Sequence, residues 1–220
     1  MKNIVIFGSG GHSKVLIDII EKLGDYNLVG LIDTFKEKGK LIFDYEVIGK
    51  EDDIEDLIEN YNIQCGVIGI GDNFIRKKVV EFVHQKNLNF KFETLIHPKS
   101  NIGKNVIVGD GTVVMSGVSI NSDTKTGNHC IINTNSSVDH DCHLGDYVSV
   151  SPNSGIGGNV NIGDHSFIGI GSNIIHNINI GNNNVIGSSS LVNRDIGSNI
   201  LGYGVPFKEI RKINKGEKYL

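Results

Sequence analysis

Strand and helix patterns alternate over the first half of the chain, and a six-residue repeat fills the second. They predict a small doubly wound parallel α/β sheet over residues 1–95 and a three-sided parallel β-helix with a C-terminal tail over 96–220. The third observation is a change of composition between the two. Residues 96–197 contain no Glu and only two aromatics, Tyr147 and Phe167, while Gly, Asn, Ser, Ile and Val dominate, a mixture of β formers and turn residues. The acidic excess belongs to the first part, since residues 97–220 hold 9 acids and 9 bases of the chain's 25 and 21.

In the first half, Ile4–Phe7 reads as a buried strand, and 12–23 as a helix with apolar Val15, Leu16, Ile19, Ile20 and Leu23 on one face. Leu28–Ile32 is a second strand ending at Asp33, which completes one βαβ unit. Residues 52–60 read as a helix, 65–70 as a buried strand, 73–85 as a long amphipathic helix and 90–95 as a last strand. The result is a Rossmann-like sheet, whose ligands sit beyond the carboxyl ends of the strands. In the second half, every sixth residue from Ile96 to Val192 is aliphatic at sixteen of seventeen positions, Thr126 being the exception. Gly follows that residue nine times, and small or β-branched residues such as Thr112, Cys130, Ser136 and Cys142 recur two places before it. A period of six suits neither an α-helix nor a coiled coil. It suits short strands separated by corners, with the aliphatic residue inward and 18 residues to a coil.

Several classes are excluded. A formal charge of −4 and a pI near 6.0 offer no basic face for nucleic acid. No apolar run reaches the ~18–20 residues of a membrane span and no signal peptide precedes the first strand, so a cytoplasmic chain without membrane insertion is expected. Cys65, Cys130 and Cys142 show no paired spacing and read as small buried hydrophobes. No Ala occurs anywhere, and the abundance of Ile, Asn and Lys reads as the bias of an AT-rich genome.

Two places carry candidate chemistry. Gly8-Ser9-Gly10-Gly11-His12-Ser13-Lys14 follows the first strand and opens the first helix; Ser13 at the third fingerprint position argues against a standard NAD site, while backbone amides at a helix start suit a phosphate. Asp33 ends the second strand, placed for a ribose or base hydrogen bond. His140 takes the third place of its hexapeptide, at a corner, so its side chain leaves the core. An imidazole there suits a general base, and no cysteine or serine stands in an activated, triad-like context.

The Gly-Gly-His turn, Ile68-Gly69-Ile70-Gly71-Asp72-Asn73 with Arg76, Ile96-His97-Pro98, Asn133-Thr134 before Val138-Asp139-His140-Asp141-Cys142, and Gly204-Val205-Pro206 together resemble the hexapeptide-repeat acyltransferases with a left-handed β-helix. Within that group the chain is similar to the nucleotide-sugar N-acetyltransferases of bacillosamine type, alongside the sialic acid O-acetyltransferases. The resemblance implies acetyl-CoA as co-substrate, a UDP-linked amino sugar as acceptor, surface-glycan synthesis, no metal, and a homotrimer with active sites between subunits. It implies that Gly10, Gly11, His12, Asp33, Gly71, Asn73 and Arg76 contact the nucleotide sugar, that Asn133 holds the acceptor group, and that His140 is the base with Asp141 orienting it. Ser149, Gly158, Gly171, Gly204 and Pro206 fall at its cofactor positions, Gly158 offering an amide to the oxyanion. Ser149 departs from relatives that carry a second His there, and Phe207 from a Gly-Val-Pro-Ala tail.

Three rivals differ in kind. A sialic acid O-acetyltransferase would share the repeat and His140 without needing a nucleotide in the first domain. A non-catalytic nucleotide-sugar sensor would keep the fold alone. A γ-type carbonic anhydrase would need three clustered histidines, but His140 and His176 stand two coils apart, about 9.6 Å at strand spacing.

Overall fold

Ile4, Val5, Ile6 and Phe7 have no exposed surface and belong to an inner strand of a five-stranded sheet. The computed structural model describes residues 1–218, and the chain divides into two units, Met1–Pro98 and Lys99–Leu220. In chain order the first unit runs β1 (Lys2–Phe7), α1 (Gly11–Leu23), β2 (Tyr26–Ile32), β3 (Leu41–Ile42), β4 (Tyr45–Gly49), α2 (Ile54–Tyr61), β5 (Cys65–Ile68) and α3 (Asn73–Lys86). The strand order is β3-β4-β2-β1-β5; β4, β2, β1 and β5 are parallel, and β3 folds back antiparallel on β4. Helix α1 buries Leu16, Ile17, Ile19 and Ile20, each worth about 1.5–3 kcal/mol. It stops at Gly24, whose left-handed backbone lets its N–H reach the Ile20 carbonyl.

Two features of this unit differ from the sequence expectation. The β3–β4 hairpin was unforeseen because its turn is built on Phe43, at φ 52°, and not on Gly or Asn. The strand expected over 90–95 forms only at its end, as the two-residue strand Leu95–Ile96. Phe92 makes one isolated bridge to Gly66, and the segment instead buries Phe90 and Phe92 against Phe7, with ring centroids 5.2–5.8 Å apart. Gly66 makes this packing fit, since a Cβ there would lie 2.7 Å from the Phe7 ring.

The second unit is a three-faced parallel solenoid of two-residue strands. On the first face Val113–Val114, Ile131–Ile132, Ser149–Val150, Phe167–Ile168 and Val185–Ile186 stack in order; the second runs from Asn101–Ile102 to Leu191–Val192, and the third from Lys125–Thr126 to Asn179–Ile180. Partners are 18 residues apart throughout, as in Ile131↔Ser149 and Ser137↔Gly155. The every-sixth residues from Val114 to Val192 are all buried.

The small residues two places earlier also point inward, and their side chains link successive coils. Thr112, Ser154, Ser166 and Ser172 donate to the carbonyl fifteen residues on, and Cys130 and Cys142 do the same with sulfur at 3.1 and 3.2 Å. Three of the hydroxyls also accept the amide eighteen residues on, Thr112 from Cys130, Ser166 from Asn184 and Ser172 from Ser190. Each of those three thereby satisfies two backbone groups.

Each coil turns on left-handed residues, three places after each aliphatic one from 105 to 189. Asn stands at six of them: 105, 135, 153, 159, 177 and 183. The Asn abundance thus has a physical cause beside any genomic bias, because Asn tolerates this conformation better than other side chains. The 18-residue register ends after Val192. Ile196 bridges Ile180 at a spacing of 16, and Ile200–Tyr203 closes the first face and pairs antiparallel with a return strand, Lys208–Lys212. Phe207 is buried over Gly202, where a Cβ would lie 2.3 Å from its ring.

Candidate active site

At the carboxyl ends of β1, β2, β4 and β5 lies a cleft of about 630 Å³, within the range of small-molecule sites. Gly10, Gly11, His12, Asp33 and Gly71 line it, as do Thr34, Phe35, Glu51 and Lys78, which the sequence reading missed. Gly8 holds the turn at φ +95°, and a Cβ there would meet Ile70 at 2.9 Å.

Helix α1 starts at this loop with no side chain capping it and no acid in its first turn. Its first amides are therefore available to an anion. Helix α3 opens on the same cleft but is closed off, since Asp72 accepts from the amides of Phe74 and Ile75 at 3.0 and 2.9 Å. An anion is directed to α1.

Desolvation, with a smaller contribution from the Arg76 charge, lowers the His12 pKa to about 4, so the ring is neutral near pH 7. Its Nε2 is buried and has no hydrogen-bond partner among the described residues. Burial would raise the Asp33 carboxyl, but the Ser9 hydroxyl, the Phe35 and Lys36 amides and the Lys36 charge outweigh it, and the pKa lies below the ordinary value. Asp33 thereby ties the loop after β2 to the glycine loop. Asn73 and Arg76 lie beneath the cleft, 0% and 1% exposed. The guanidinium donates to the carbonyls of Ile70 and Gly71 at 3.1 and 3.0 Å and to Asn73 at 2.9 Å, fixing the loop before α3.

The second candidate centre is the corner 139–142, between Ser137–Val138 and His143–Leu144. Asp141 takes the left-handed conformation, φ 58°, and its Oδ2 lies 2.7 Å from His140 Nδ1. With Nδ1–H donating to that carboxylate, the Nε2 lone pair is left to accept a proton. The side chain is half-exposed. Its pKa is raised, first by the hydrogen bond to Asp141 and then by the Asp139 charge.

Asp139 is itself held, accepting from the His140 amide at 2.8 Å and from Asn121 at 2.7 Å. Beneath the imidazole, one coil on, is Gly158. A Cβ there would lie 2.7 Å from both Cε1 and Nε2 of His140, so only glycine leaves the ring its seat.

The remaining predicted residues stand elsewhere on the solenoid. Ser149 is on the first face between Ile131 and Phe167, almost fully buried. Asn133 and Gly171 follow strands of that face at its next corner, and Gly204 and Pro206 follow its last strand. One chain thus separates two sets: His140, Asp141 and Gly158 at one corner, and Asn133, Ser149, Gly171, Gly204 and Pro206 on another face and corner.

Comparison with known proteins gives concordant results for both units. The model of the PglD N-terminal domain matches residues 3–83, and that of the bacterial transferase hexapeptide (six repeats) matches 123–158. A curated relative, UDP-N-acetylbacillosamine N-acetyltransferase of Bacillus subtilis (strain 168), is 34% identical over 119 residues, covering 53% of this chain and 52% of that protein. The match spans about half the length of that relative. Among solved structures, a histidine-to-asparagine mutant of perosamine N-acetyltransferase from Caulobacter crescentus, in complex with CoA and GDP-perosamine, superposes with a TM-score of 0.90 at 31% identity, over 96% of this chain and 98% of that one. The acetyltransferase domain of PglB from Neisseria gonorrhoeae FA1090, in complex with acetyl coenzyme A, gives 0.86 at 28% identity, over 95% and 99%.

Proposed function

The chain belongs to the hexapeptide-repeat, left-handed β-helix nucleotide-sugar N-acetyltransferases, and from that membership we propose that it transfers acetyl from acetyl-CoA to the amine of a nucleotide-linked amino sugar. The sugar is a 4-amino-4,6-dideoxy type serving surface glycans. The observation that carries this reading is the His140–Asp141 pair seated on Gly158. His140 Nε2 takes a proton from the amine as it attacks the thioester carbonyl and the C–N bond forms; the oxyanion collapses, the C–S bond breaks, and the imidazolium returns the proton so that CoA leaves as its thiol. Asp141 holds the tautomer and stabilises the imidazolium. The amide of Gly158 donates to the oxyanion. The nucleotide diphosphate binds the uncapped start of α1.

The two separated sets of solenoid residues support a shared site. A homotrimer supplies the second set from a neighbouring copy, so the partner subunit completes each centre. Substituting His140→Ala is expected to lower kcat by about 10²–10⁴-fold, with CoA binding retained in calorimetry. Wild-type turnover in that variant would remove His140 from the chemistry.

A further inference from the structure

We propose that the nucleotide taken by the cleft is a guanosine diphosphate, and that Glu51 reads the base through its N1–H and exocyclic amine. The inference rests on the reading of this cleft as a nucleotide-sugar site, and departs from the uridine nucleotide that the resemblance implies. Along the sheet, β1 delivers Gly8–Gly11 to the cleft, β2 beside it delivers Asp33–Phe35, and β4 next in order is followed by Glu51. At about 4.8 Å per strand, the second and third loops lie about 5 and 10 Å from the glycine loop. Those are the distances of ribose and base from a diphosphate on the α1 amides. The orientation is fixed by charge, because Asp33 and Glu51 repel phosphate at the far end while the uncapped helix attracts it.

The two carboxylates are not equivalent. Asp33 has one oxygen on the Ser9 hydroxyl and the other on two amides. Glu51 is 9% exposed and accepts the Thr34 hydroxyl on Oε2. Among the described residues nothing donates to its Oε1. That oxygen is not sealed in the interior, so it is left open to a ligand in a residue that lines the cleft.

Guanine offers two adjacent N–H donors to such a group. Uracil offers one, flanked by carbonyl oxygens that a carboxylate repels. Apolar surface for the base is also present: Phe35, 95% exposed, lines the cleft with Ile75, Val79 and Phe82 of α3, and aromatic faces stack readily on purines.

Calorimetric titration of the full chain with GDP and with UDP tests the assignment. GDP is expected to bind at least about tenfold more tightly, the worth of one charge-assisted hydrogen bond. In Glu51→Gln the amide offers one acceptor and one donor, matching uracil, so the GDP:UDP preference is expected to fall by at least about tenfold. Two results would overturn the guanine assignment while leaving the nucleotide reading intact. One is UDP binding the wild type as tightly as GDP; the other is an equal loss of both in the variant, which marks Glu51 as a ribose contact. Binding of neither nucleotide would overturn both readings. The wild-type comparison decides even if the variant does not fold.

Discussion

The proton affinity of His140 is set by its neighbours. Asp141 holds Nδ1 and Asp139 adds charge nearby, both favouring the imidazolium, so its pKa lies above the ordinary histidine value. A base works when neutral, so the rate climbs with pH through that raised pKa. In Asp141→Asn the largest cause of the shift is lost, and the acid limb of kcat/KM is expected to move to lower pH while kcat falls. An acid limb that stays in place would show that the carboxylate orients the ring without tuning it. At this scale the sequence was partly legible. His140 stood out because a polar residue at a corner must leave the core, whereas the seat on Gly158 was invisible, since it depends on a residue one coil away meeting the ring edge.

Among elements, the backbone of the corner 139–142 is gripped from the preceding coil by a hydroxyl, beside the Asn121 amide that holds the Asp139 side chain. Thr124 donates to the Asp139 carbonyl at 2.6 Å and accepts from the Cys142 amide at 3.1 Å, so it grips both ends of the loop that presents His140. Thr124→Val keeps the shape and deletes both bonds, leaving a buried carbonyl and amide unpaired. A loss of about 1–3 kcal/mol is expected, read as a fall in Tm, with Thr124→Ser recovering most of it. An unchanged Tm would mean that the corner holds itself. The inward aliphatic phase revealed the solenoid because it repeats at a period no other architecture shares. The hydroxyl ladder showed only as a run of small residues, and the left-handed corners were concealed as an excess of Asn. In the first unit β4 went unread without a turn signal at Phe43, and with it Glu51, whose place in the cleft follows from the carboxyl end of that strand.

For the whole molecule, the shared site proposed above would make assembly part of the chemistry. A trimer of three 23.9 kDa chains is expected by light scattering. His140→Ala and Asn133→Ala are each expected to be inactive alone. Random mixed trimers made by co-expression should regain about a quarter of wild-type sites, because the proposed site takes His140 from one copy and Asn133 from its neighbour. Mixed trimers without activity would place both groups in a site served by a single chain. The end of the solenoid has a different consequence. A stack of identical coils presents an open strand edge on which another stack can grow, the geometry of a fibre. Here the register drops from 18 to 16 residues at the last coil, and the edge of the first face is then paired with a return strand bearing Lys208, Glu209, Arg211 and Lys212, all exposed. The next molecule in a filament would find no matching ladder and a charged rim, so the same repeat that builds the scaffold is kept from polymerising.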